Sequence, residues 1–498
     1  MRRLALWLLA SCLLPAGVVS GVTLDWATGR PLSRTIVRLI PVPGSGAPAQ
    51  TRQLRSGLTG QFTFPTLPDG LYLIETQREG YLPAAHGQRR PTGYGTPIRV
   101  TADSALFTEL RLHRMGAITG TVLDENGIGI PRVPVVAYAA KLPLRIAGRG
   151  TADDRGVYRI AGLPLGKYWV RTASHVLEDG TGMLPYFGPE AGEPRDAILY
   201  EVRFDNDTPD ANIRPRPGAL ATLTGGISCD RGPGSPVTLT LSSEFSRQTV
   251  EAACGAGFRF AGLAPAQYEL LAVYPDGAGF AFLERNIAEN AQLAVQVALA
   301  PPVSVEVRHA TSRAALRLPV GLFGRREDLA GPGEPREIPT RSATLPPGYW
   351  LFAANPPDGH YVASISTMSG FGRTARRNRT ADWFPAHLQS NYGETIRIAL
   401  SDRPGQIAGR TTAPGVPVFL WPVKDDTRHQ LGGGRETLSD ANGAFRFNGL
   451  PPGEYRILPT TGFREITAEA AEEARAVTVV LAEGQTLDAG ELPVWVAP

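Results

Sequence analysis

Short segments in which apolar and polar residues alternate recur along this chain, and the clearest of them ends in a well-marked turn. Phe445 and Phe447 are two positions apart, so both rings point to one face of a β-strand, because successive side chains alternate sides. The Leu-Pro-Pro-Gly at residues 450–453 predicts a tight turn, since proline fixes φ and glycine accepts a positive φ. Tyr455 then starts the next strand. The pattern predicts a β-hairpin with one apolar face.

The same hairpin pattern is repeated along the chain, each time after an alternating strand. Full copies occur at Gly60–Tyr72 and Gly156–Tyr168, and weaker copies at Gly257–Tyr268 and Leu345–Trp350. An isolated hairpin is only marginally stable in water, so each copy implies a small sheet domain built around it. The repeat of about 100 residues is longer than that of solenoid proteins, so each unit should enclose its own core.

We therefore predict an all-β protein of five small domains in a string. The predicted boundaries are a signal peptide at residues 1–20 and domains at 21–114, 115–218, 219–299, 300–402 and 403–498, the fourth being degenerate. A length of 498 residues suits several domains of modest size. The 42% apolar content argues against a disordered chain, and 56 glycines and 44 prolines fit many short strands joined by turns.

The motif around these turns resembles the carboxypeptidase regulatory-like domain. The resemblance rests on Gly-x-Phe-x-Phe-x-Gly-Leu-Pro-Pro-Gly-x-Tyr at residues 443–455 and on opening strands such as the one that leads to Asp124 and the Asn126-Gly127 turn. It implies an Ig-like or transthyretin-like Greek-key β-sandwich of about seven strands for each domain. In metallocarboxypeptidases this domain is an accessory to the catalytic part, so the resemblance implies architecture rather than activity.

The N-terminus predicts export. Two arginines are followed by an apolar stretch at residues 4–14 and then by small residues, which is typical of a secretory signal peptide cleaved after Ala16 or Ser20. As an alternative, residues 9–12 resemble a bacterial lipobox, which would anchor the chain through a lipid on Cys12. No later segment reaches the roughly 20 apolar residues of a membrane span. We expect a periplasmic, surface or secreted protein.

Charge gives little indication of a partner. The formal net charge of +3 becomes 48 − 47 = +1 once the two N-terminal arginines are removed, so we expect no nucleic-acid partner. The expected partners are a polysaccharide or a cell-surface protein, and we expect a monomer.

Cys229 and Cys254 both lie in the third domain. In an exported chain such a pair predicts a disulfide, although two reduced buried thiols remain the alternative.

One motif could support an enzyme. His175-Val176-Leu177-Glu178 matches the His-x-x-Glu that supplies two zinc ligands in zinc carboxypeptidases. Zinc needs a third protein ligand and catalysis needs a general base, and a chance match is the simpler interpretation. No Gly-x-Ser-x-Gly elbow or phosphate-binding glycine motif is present in the sequence. We predict neither enzyme activity, nor a metal, nor a cofactor.

Three aromatic residues outside the hairpins are candidate ligand-binding residues: Trp26, Tyr186 and Trp383. Exposed rings stack well on sugar faces, whereas the alternative is that these rings pack at the junctions between domains. We predict a non-enzymatic exported protein that binds at the cell envelope, with carbohydrate as the candidate ligand. The first alternative is a structural spacer or adhesion-like stalk, and the second is a relative of metallocarboxypeptidase accessory domains with zinc at His175 and Glu178.

Overall fold

The computed structural model describes residues 17–140, 144–339, 344–368, 383–388, 394–423, 434–464, 472 and 474–496. The segment at residues 1–16, which holds Cys12 and most of the predicted signal peptide, lies outside this range. Regular structure in the described residues is β-strand, apart from a short 3-10 helix at Pro194–Asp196 and one helical residue, Glu472. None of the described helical segments is long and apolar enough to cross a membrane. The prediction of tandem β-sandwich domains is confirmed.

Domain 1 has seven strands in two facing sheets. Its strands are β1 (Gly17–Asp25), β2 (Ile36–Pro41), β3 (Arg52–Arg55), β4 (Gln61–Leu67), β5 (Gly70–Gln77), β6 (Ile98–Val100) and β7 (Ala105–Leu112). One sheet has the order β4-β1-β7 and the other has the order β3-β2-β5-β6. Strands β1 and β7 pair in parallel and the other pairs are antiparallel. This strand number is the one that the family resemblance implies.

Domain 2 repeats this plan with a small additional hairpin. Its strands are β8 (Gly116–Thr121), β9 (Pro134–Ala139), β10 (Arg145–Thr151), β11 (Val157–Leu163), β12 (Gly166–Thr172), β13 (His175–Val176), β14 (Gly182–Met183), β15 (Tyr200–Val202) and β16 (Asp207–Thr208). The sheets have the orders β11-β8-β16 and β10-β9-β12-β15, and β13 pairs with β14 outside them.

In domain 3 the two layers join into one continuous sheet. Its strands are β17 (Ala221–Cys229), β18 (Pro236–Ser243), β19 (Ser246–Ala253), β20 (Gly257–Leu263), β21 (Ala266–Val273), β22 (Gly279–Ile287) and β23 (Ala291–Leu299). The order is β19-β18-β21-β22-β23-β17-β20, because β22 pairs with both β21 and β23. A disulfide joins Cys229 to Cys254, with 5.7 Å between the Cα atoms, which confirms the predicted bridge.

Domain 4, in which the sequence motif is degenerate, departs from the plan. Its strands are β24 (Ser304–His309), β25 (Gly321–Asp328), β26 (Gly331–Pro332), β27 (Arg336–Ile338), β28 (Gly348–Asn355), β29 (Tyr361–Met368), β30 (Phe384–Leu388) and β31 (Thr395–Ser401). The first strand of domain 4, β24, corresponds to β1 of domain 1, which lies between β4 and β7. In the described residues β24 pairs with β31 alone, and β29 pairs with the other edge of β31. The alternating aromatic pair is missing from the sequence before this turn.

Domain 5 returns to seven strands. They are β32 (Gly405–Thr411), β33 (Pro417–Pro422), β34 (Arg435–Leu438), β35 (Ala444–Leu450), β36 (Gly453–Pro459), β37 (Val477–Leu481) and β38 (Thr486–Leu492). The sheet orders are β35-β32-β38 and β34-β33-β36-β37, which match those of domain 1 strand for strand.

Each domain encloses its own main hydrophobic core, and the five main cores share no residue. The aromatic pairs of the hairpins lie in these cores. Phe62 and Phe64 are 4% and 2% exposed, and their ring centroids are 6.2 Å apart. The pairs Phe258–Phe260 and Phe445–Phe447 pack in the same edge-to-face manner. Burial of these rings gives each of these domains a core of its own.

The aromatic residue after each turn makes the same hydrogen bond in all five domains. Its ring lies in the core, and its one polar hydrogen is donated to the backbone carbonyl four residues earlier. The pairs are Tyr72 to Pro68 at 2.9 Å, and Tyr168 to Pro164, Tyr268 to Ala264, Trp350 to Pro346 and Tyr455 to Pro451 at 2.8 Å each. The bond fixes the turn to the strand that follows it.

Candidate functional site

The three predicted aromatic site residues lie in three different domains, and the fold does not bring them together. Trp26 is 52% exposed and stacks on His113, with ring centroids 4.4 Å apart. Tyr186 packs against the core of domain 2, and Trp383 lies under the Arg325 guanidinium, 4.3 Å from the ring centroid. Of the three residues only Trp26 is exposed, whereas Tyr186 and Trp383 are half-buried.

Trp26 lies at the junction between domains 1 and 2. The His113 ring on which it stacks is hydrogen-bonded to Asp205 of domain 2, and the Arg114 backbone N–H donates to the same carboxylate at 2.7 Å. The turn that carries Trp26 is fixed by Asp25, which accepts hydrogen bonds from Thr28 and from the Tyr81 hydroxyl. Trp26 therefore belongs to an interdomain contact.

The His175–Glu178 segment does not form a zinc site in the described structure. The Glu178 carboxylate pairs with the Arg132 guanidinium. Burial and the nearby Arg132 charge both lower the pKa of His175. Among the described residues no group of three histidine, cysteine or carboxylate side chains is placed to hold a metal ion. A zinc site would need a third protein ligand beside these two residues.

The junction between domains 2 and 3 is aromatic. Phe245, in the turn between β18 and β19, packs edge-on against Tyr138 and Phe187, with centroid distances of 5.9 and 5.5 Å. The Arg171 guanidinium lies 4.1 Å from the Phe245 ring centroid, and burial lowers the pKa of Arg171. A desolvated cation over an aromatic face attracts more strongly than an exposed one, so Arg171 adds to the aromatic contacts between the two domains.

Ion pairs hold the next junction. Arg326 of domain 4 lies 3.5 Å from Glu269 of domain 3, and both side chains are largely buried. Burial raises the pKa of Glu269 and lowers that of Arg326. Asp328 accepts hydrogen bonds from Ser242 at 2.7 Å and from Arg247 at 2.6 and 2.9 Å.

A shared carboxylate links domains 4 and 5. Glu483 of domain 5 accepts hydrogen bonds from the Ser401 hydroxyl at 2.8 Å and from the Tyr361 hydroxyl at 3.1 Å. Each junction between consecutive domains thus has directional contacts.

Domains 1 and 5 also contact each other directly, and we call this contact the clasp. The Tyr94 hydroxyl donates to Glu436 at 2.6 Å, and burial together with this bond raises the pKa of Tyr94. Arg464 pairs with Glu75 at 3.1 Å and donates to the Gly93 carbonyl at 2.9 Å. Charge-assisted hydrogen bonds of this kind are the stronger ones in proteins.

Backbone hydrogen bonds extend the clasp along two connecting segments. The Tyr94 N–H donates to the Thr461 carbonyl at 2.7 Å, and the Arg464 N–H donates to the Thr92 carbonyl at 2.9 Å. The Arg464 guanidinium also lies 4.6 Å from the Tyr94 ring centroid. These reciprocal bonds fix the register of the segments at residues 90–97 and 460–464.

The clasp also has an apolar part. Leu71 and Leu73 on β5 are nearly fully buried although they point away from the core of domain 1. They pack in one cluster with Val42 and with Leu438 and Ala441 of domain 5. The Ala441 N–H donates to the Pro43 carbonyl at 2.9 Å beside this cluster. The clasp therefore combines apolar burial with charged pairs, as specific interfaces do.

The sequence carried a signal for the clasp that the alternation analysis missed. Residues 71–74 and 418–420 are apolar without a break, and every side chain in both runs is buried. A strand that is apolar on both faces is covered on both faces. On β5 the second face is covered by domain 5, and on β33 the outward ring of Phe419 lies 6.2 Å from the Tyr94 ring.

No family model and no curated protein matches the chain. Similar solved structures include the minor pilin GBS52 of Streptococcus agalactiae, at 12% identity over 41% of this chain and 97% of that chain, with a TM-score of 0.24. A streptococcal ancillary pilin is 12% identical over 55% of this chain and 99% of its own, with a TM-score of 0.19. The shaft pilin SpaA of Lactobacillus rhamnosus GG is 9% identical over 57% and 98%, with a TM-score of 0.19. At such identities and TM-scores the likeness carries no argument about function.

Proposed function

We propose that this chain is a non-enzymatic exported structural protein, a compact spacer rather than an extended stalk, because contact between its first and last domains holds the five sandwich domains in one closed arrangement. The clasp carries this proposal, because it joins the two end domains through both apolar and charged contacts. Directional contacts at the four junctions between consecutive domains support it further. Interfaces that fix domain orientation suit a mechanical role, whereas linkers without contacts leave domains mobile.

Carbohydrate stacking by the three aromatic residues has weaker support. The Arg216 guanidinium lies 5.7 Å from the Tyr186 ring centroid, and Arg325 covers Trp383. Trp26 has one face against His113. None of the three therefore offers two free ring faces on a shared surface.

Export is part of the proposal. The Cys229–Cys254 disulfide supports an oxidising compartment. Strand β1 begins at Gly17 and Val19 is fully buried in the core of domain 1, so cleavage after Ser20 would remove a core residue. We expect signal cleavage after Ala16. Mass spectrometry of the mature protein should find Gly17 at the N-terminus, whereas a lipid-modified Cys12 would indicate lipoprotein anchoring.

We also propose kinship with the carboxypeptidase regulatory-like domain. The shared turn motif and the seven-strand sandwiches of domains 1 and 5 support it. In metallocarboxypeptidases the domain of that family is an accessory to the catalytic part. A structural role for this chain agrees with that better than an enzymatic one does.

Small-angle scattering combined with light scattering tests the spacer proposal. A monomer is expected, because the clasp surfaces of domains 1 and 5 cover each other within one molecule and leave neither surface for a second copy. The scattering curve should match the clasped arrangement across a dilution series. An elongated particle whose length equals five domains end to end would contradict the proposal, as would hydrolysis or transfer activity in the purified mature chain.

A further inference from the structure

Domain 1 has a basic depression that neither the clasp nor a junction uses. It has a volume of about 550 Å³. It is lined by Arg34, Ile36, Arg55, Gln77, Arg78 and Glu79. Three guanidinium groups and one carboxylate therefore surround it. Uncompensated like charges repel each other, so their convergence favours an anionic ligand.

Sheet register places these side chains together. Ile36 on β2 pairs with Arg55 on β3 and with Gln77 on β5, so the three side chains form one row across the sheet. Val37 points into the core, so this row lies on the opposite face. The Arg34 N–H donates to the Ser56 carbonyl at 2.9 Å, which brings Arg34 beside Arg55.

The depression is partly preorganised. The Arg78 guanidinium donates to the Ser33 carbonyl and lies 5.5 Å from the Tyr81 ring centroid, so its position is fixed. Arg34 has a left-handed backbone with φ of 57°, an unfavourable conformation for a residue with a side chain. Within the described part of the chain, the side chains of Arg34 and Arg55 have no hydrogen-bond or ion-pair partner.

The depression also contains groups suited to a sugar. Gln77 accepts a hydrogen bond from Arg38 through its carbonyl oxygen at 2.8 Å, which leaves its amide hydrogens to donate to hydroxyl groups. Ile36 offers an apolar contact in the same row. The volume falls within the range of about 300–1,000 Å³ that is usual for small-molecule sites.

Charge is concentrated on the domain that carries the depression. Residues 17–114 contain 11 arginines, no lysine and 6 carboxylates, or 11 − 6 = +5, whereas the whole chain carries only +3. Domain 1 is therefore the part of the molecule with the strongest attraction for a polyanion.

We infer that this depression binds an acidic sugar residue of a carboxylate-bearing polysaccharide. The planar guanidinium groups of Arg34 and Arg55 match a carboxylate in bidentate geometry, Gln77 donates to a ring hydroxyl, and Ile36 contacts the sugar ring. This site goes beyond the spacer role, because it gives the molecule a partner at one defined domain.

Calorimetric titration of the full chain with polygalacturonate at low ionic strength tests the site. The double variant R34Q/R55Q should bind at least about tenfold more weakly, since it loses the charged hydrogen bonds to the carboxylate. The matched control R259Q/R446Q removes the same charge from two exposed arginines on β20 and β35 and should bind like the parent. Neutral dextran should not bind. All four arginines are exposed, so both variants should unfold at the parent temperature.

Three results would overturn the inference. An equal loss in R259Q/R446Q would mean that overall charge, not the depression, attracts the polymer. Binding to phosphatidylglycerol vesicles without binding to polygalacturonate would assign the arginines to a lipid headgroup. Inorganic phosphate that binds as tightly as the polysaccharide would reduce the site to one for a simple oxyanion.

Discussion

The aromatic residue after each hairpin turn brings one polar hydrogen into the core, and in every domain that hydrogen reaches the same backbone carbonyl. This explains why the position holds tyrosine in four domains and Trp350 in domain 4, since both residues join a large apolar ring to one donor. Phenylalanine would bury the same area but would leave the carbonyl without its partner.

Tyr168→Phe should therefore destabilise domain 2 by about 1 kcal/mol, the usual net contribution of such a hydrogen bond. Differential scanning calorimetry of the full chain should show one transition moving to lower temperature while the others stay in place. Tyr349→Phe is the control, because Tyr349 is 63% exposed and should shift no transition. Equal shifts in both variants would show that the buried bond contributes nothing.

The lowered pKa of the Asp25 carboxyl predicts that the stability of domain 1 depends on pH. Burial alone would raise the pKa of Asp25, but hydrogen bonds from Thr28 and Tyr81 outweigh it and lower the pKa below its usual range. A carboxyl with a lowered folded-state pKa stabilises the fold above its unfolded-state pKa, and this stabilisation is lost as the pH falls through the folded-state value.

The unfolding temperature of domain 1 should thus fall between about pH 5 and pH 2, and Asp25→Asn should flatten that fall. Asp103→Asn, at an exposed position of the same domain, should leave the pH profile of the parent unchanged. A profile for Asp25→Asn that still falls as steeply would assign the acid sensitivity to other groups.

At the scale of strands, the alternation of apolar and polar residues identifies the face that packs on the core. An unbroken apolar run identifies a strand that is buried on both faces. Strands β4, β11, β20 and β35 alternate between buried and exposed positions over the two core residues of the motif, which are both aromatic except in β11, where Tyr158 is followed by Ile160. In contrast, β5 and β33 are buried on both faces, and both contribute to the clasp. A search for alternation alone therefore finds the strand face that packs on the core of its own domain. It misses the opposite face, which packs on another domain.

The disulfide of domain 3 stabilises an element that the repeat motif leaves weak, because Ala266 replaces the turn glycine there. The bridge ties the end of β17 to the segment between β19 and β20 across 25 positions of sequence. A loop of that length contributes about 3–4 kcal/mol on the chain-entropy model.

Reduction should consequently lower the calorimetric transition of domain 3 and leave the other four in place. Thiol titration of the unfolded mature chain should find no free thiol before reduction and two after it. Cys229→Ser with Cys254→Ser is the matched variant, which should unfold as the reduced parent does and show no further response to reductant. Two free thiols before reduction would contradict the bridge.

For the whole molecule, the clasp joins parts of the chain that are far apart in sequence; Tyr94 and Glu436 are 342 positions apart. Three intervening domains with fixed junctions keep the two surfaces near each other. The clasp therefore closes as an intramolecular contact with a high effective concentration, and modest contacts suffice to hold it.

Leu73→Asp should open the clasp, because a carboxylate without a partner would be buried in the cluster with Leu438. Small-angle scattering should then give a larger radius of gyration, while the core of domain 1 stays folded because Leu73 points away from it. Leu58→Asp is the matched control, since Leu58 is 88% exposed in the same domain. An unchanged radius in Leu73→Asp would mean that the clasp does not hold the ends together.

The hairpins, the five-domain repeat, the aromatic core positions and the disulfide follow from the order of amino acids alone. These depend on short-range physics: side-chain alternation, turn residues, and two cysteines within one domain. The clasp, the junction role of Trp26 and the basic depression were decided by tertiary structure. Each needs side chains from separate strands or domains in contact, and the register that joins Arg55, Ile36 and Gln77 arises only when the sheet is formed.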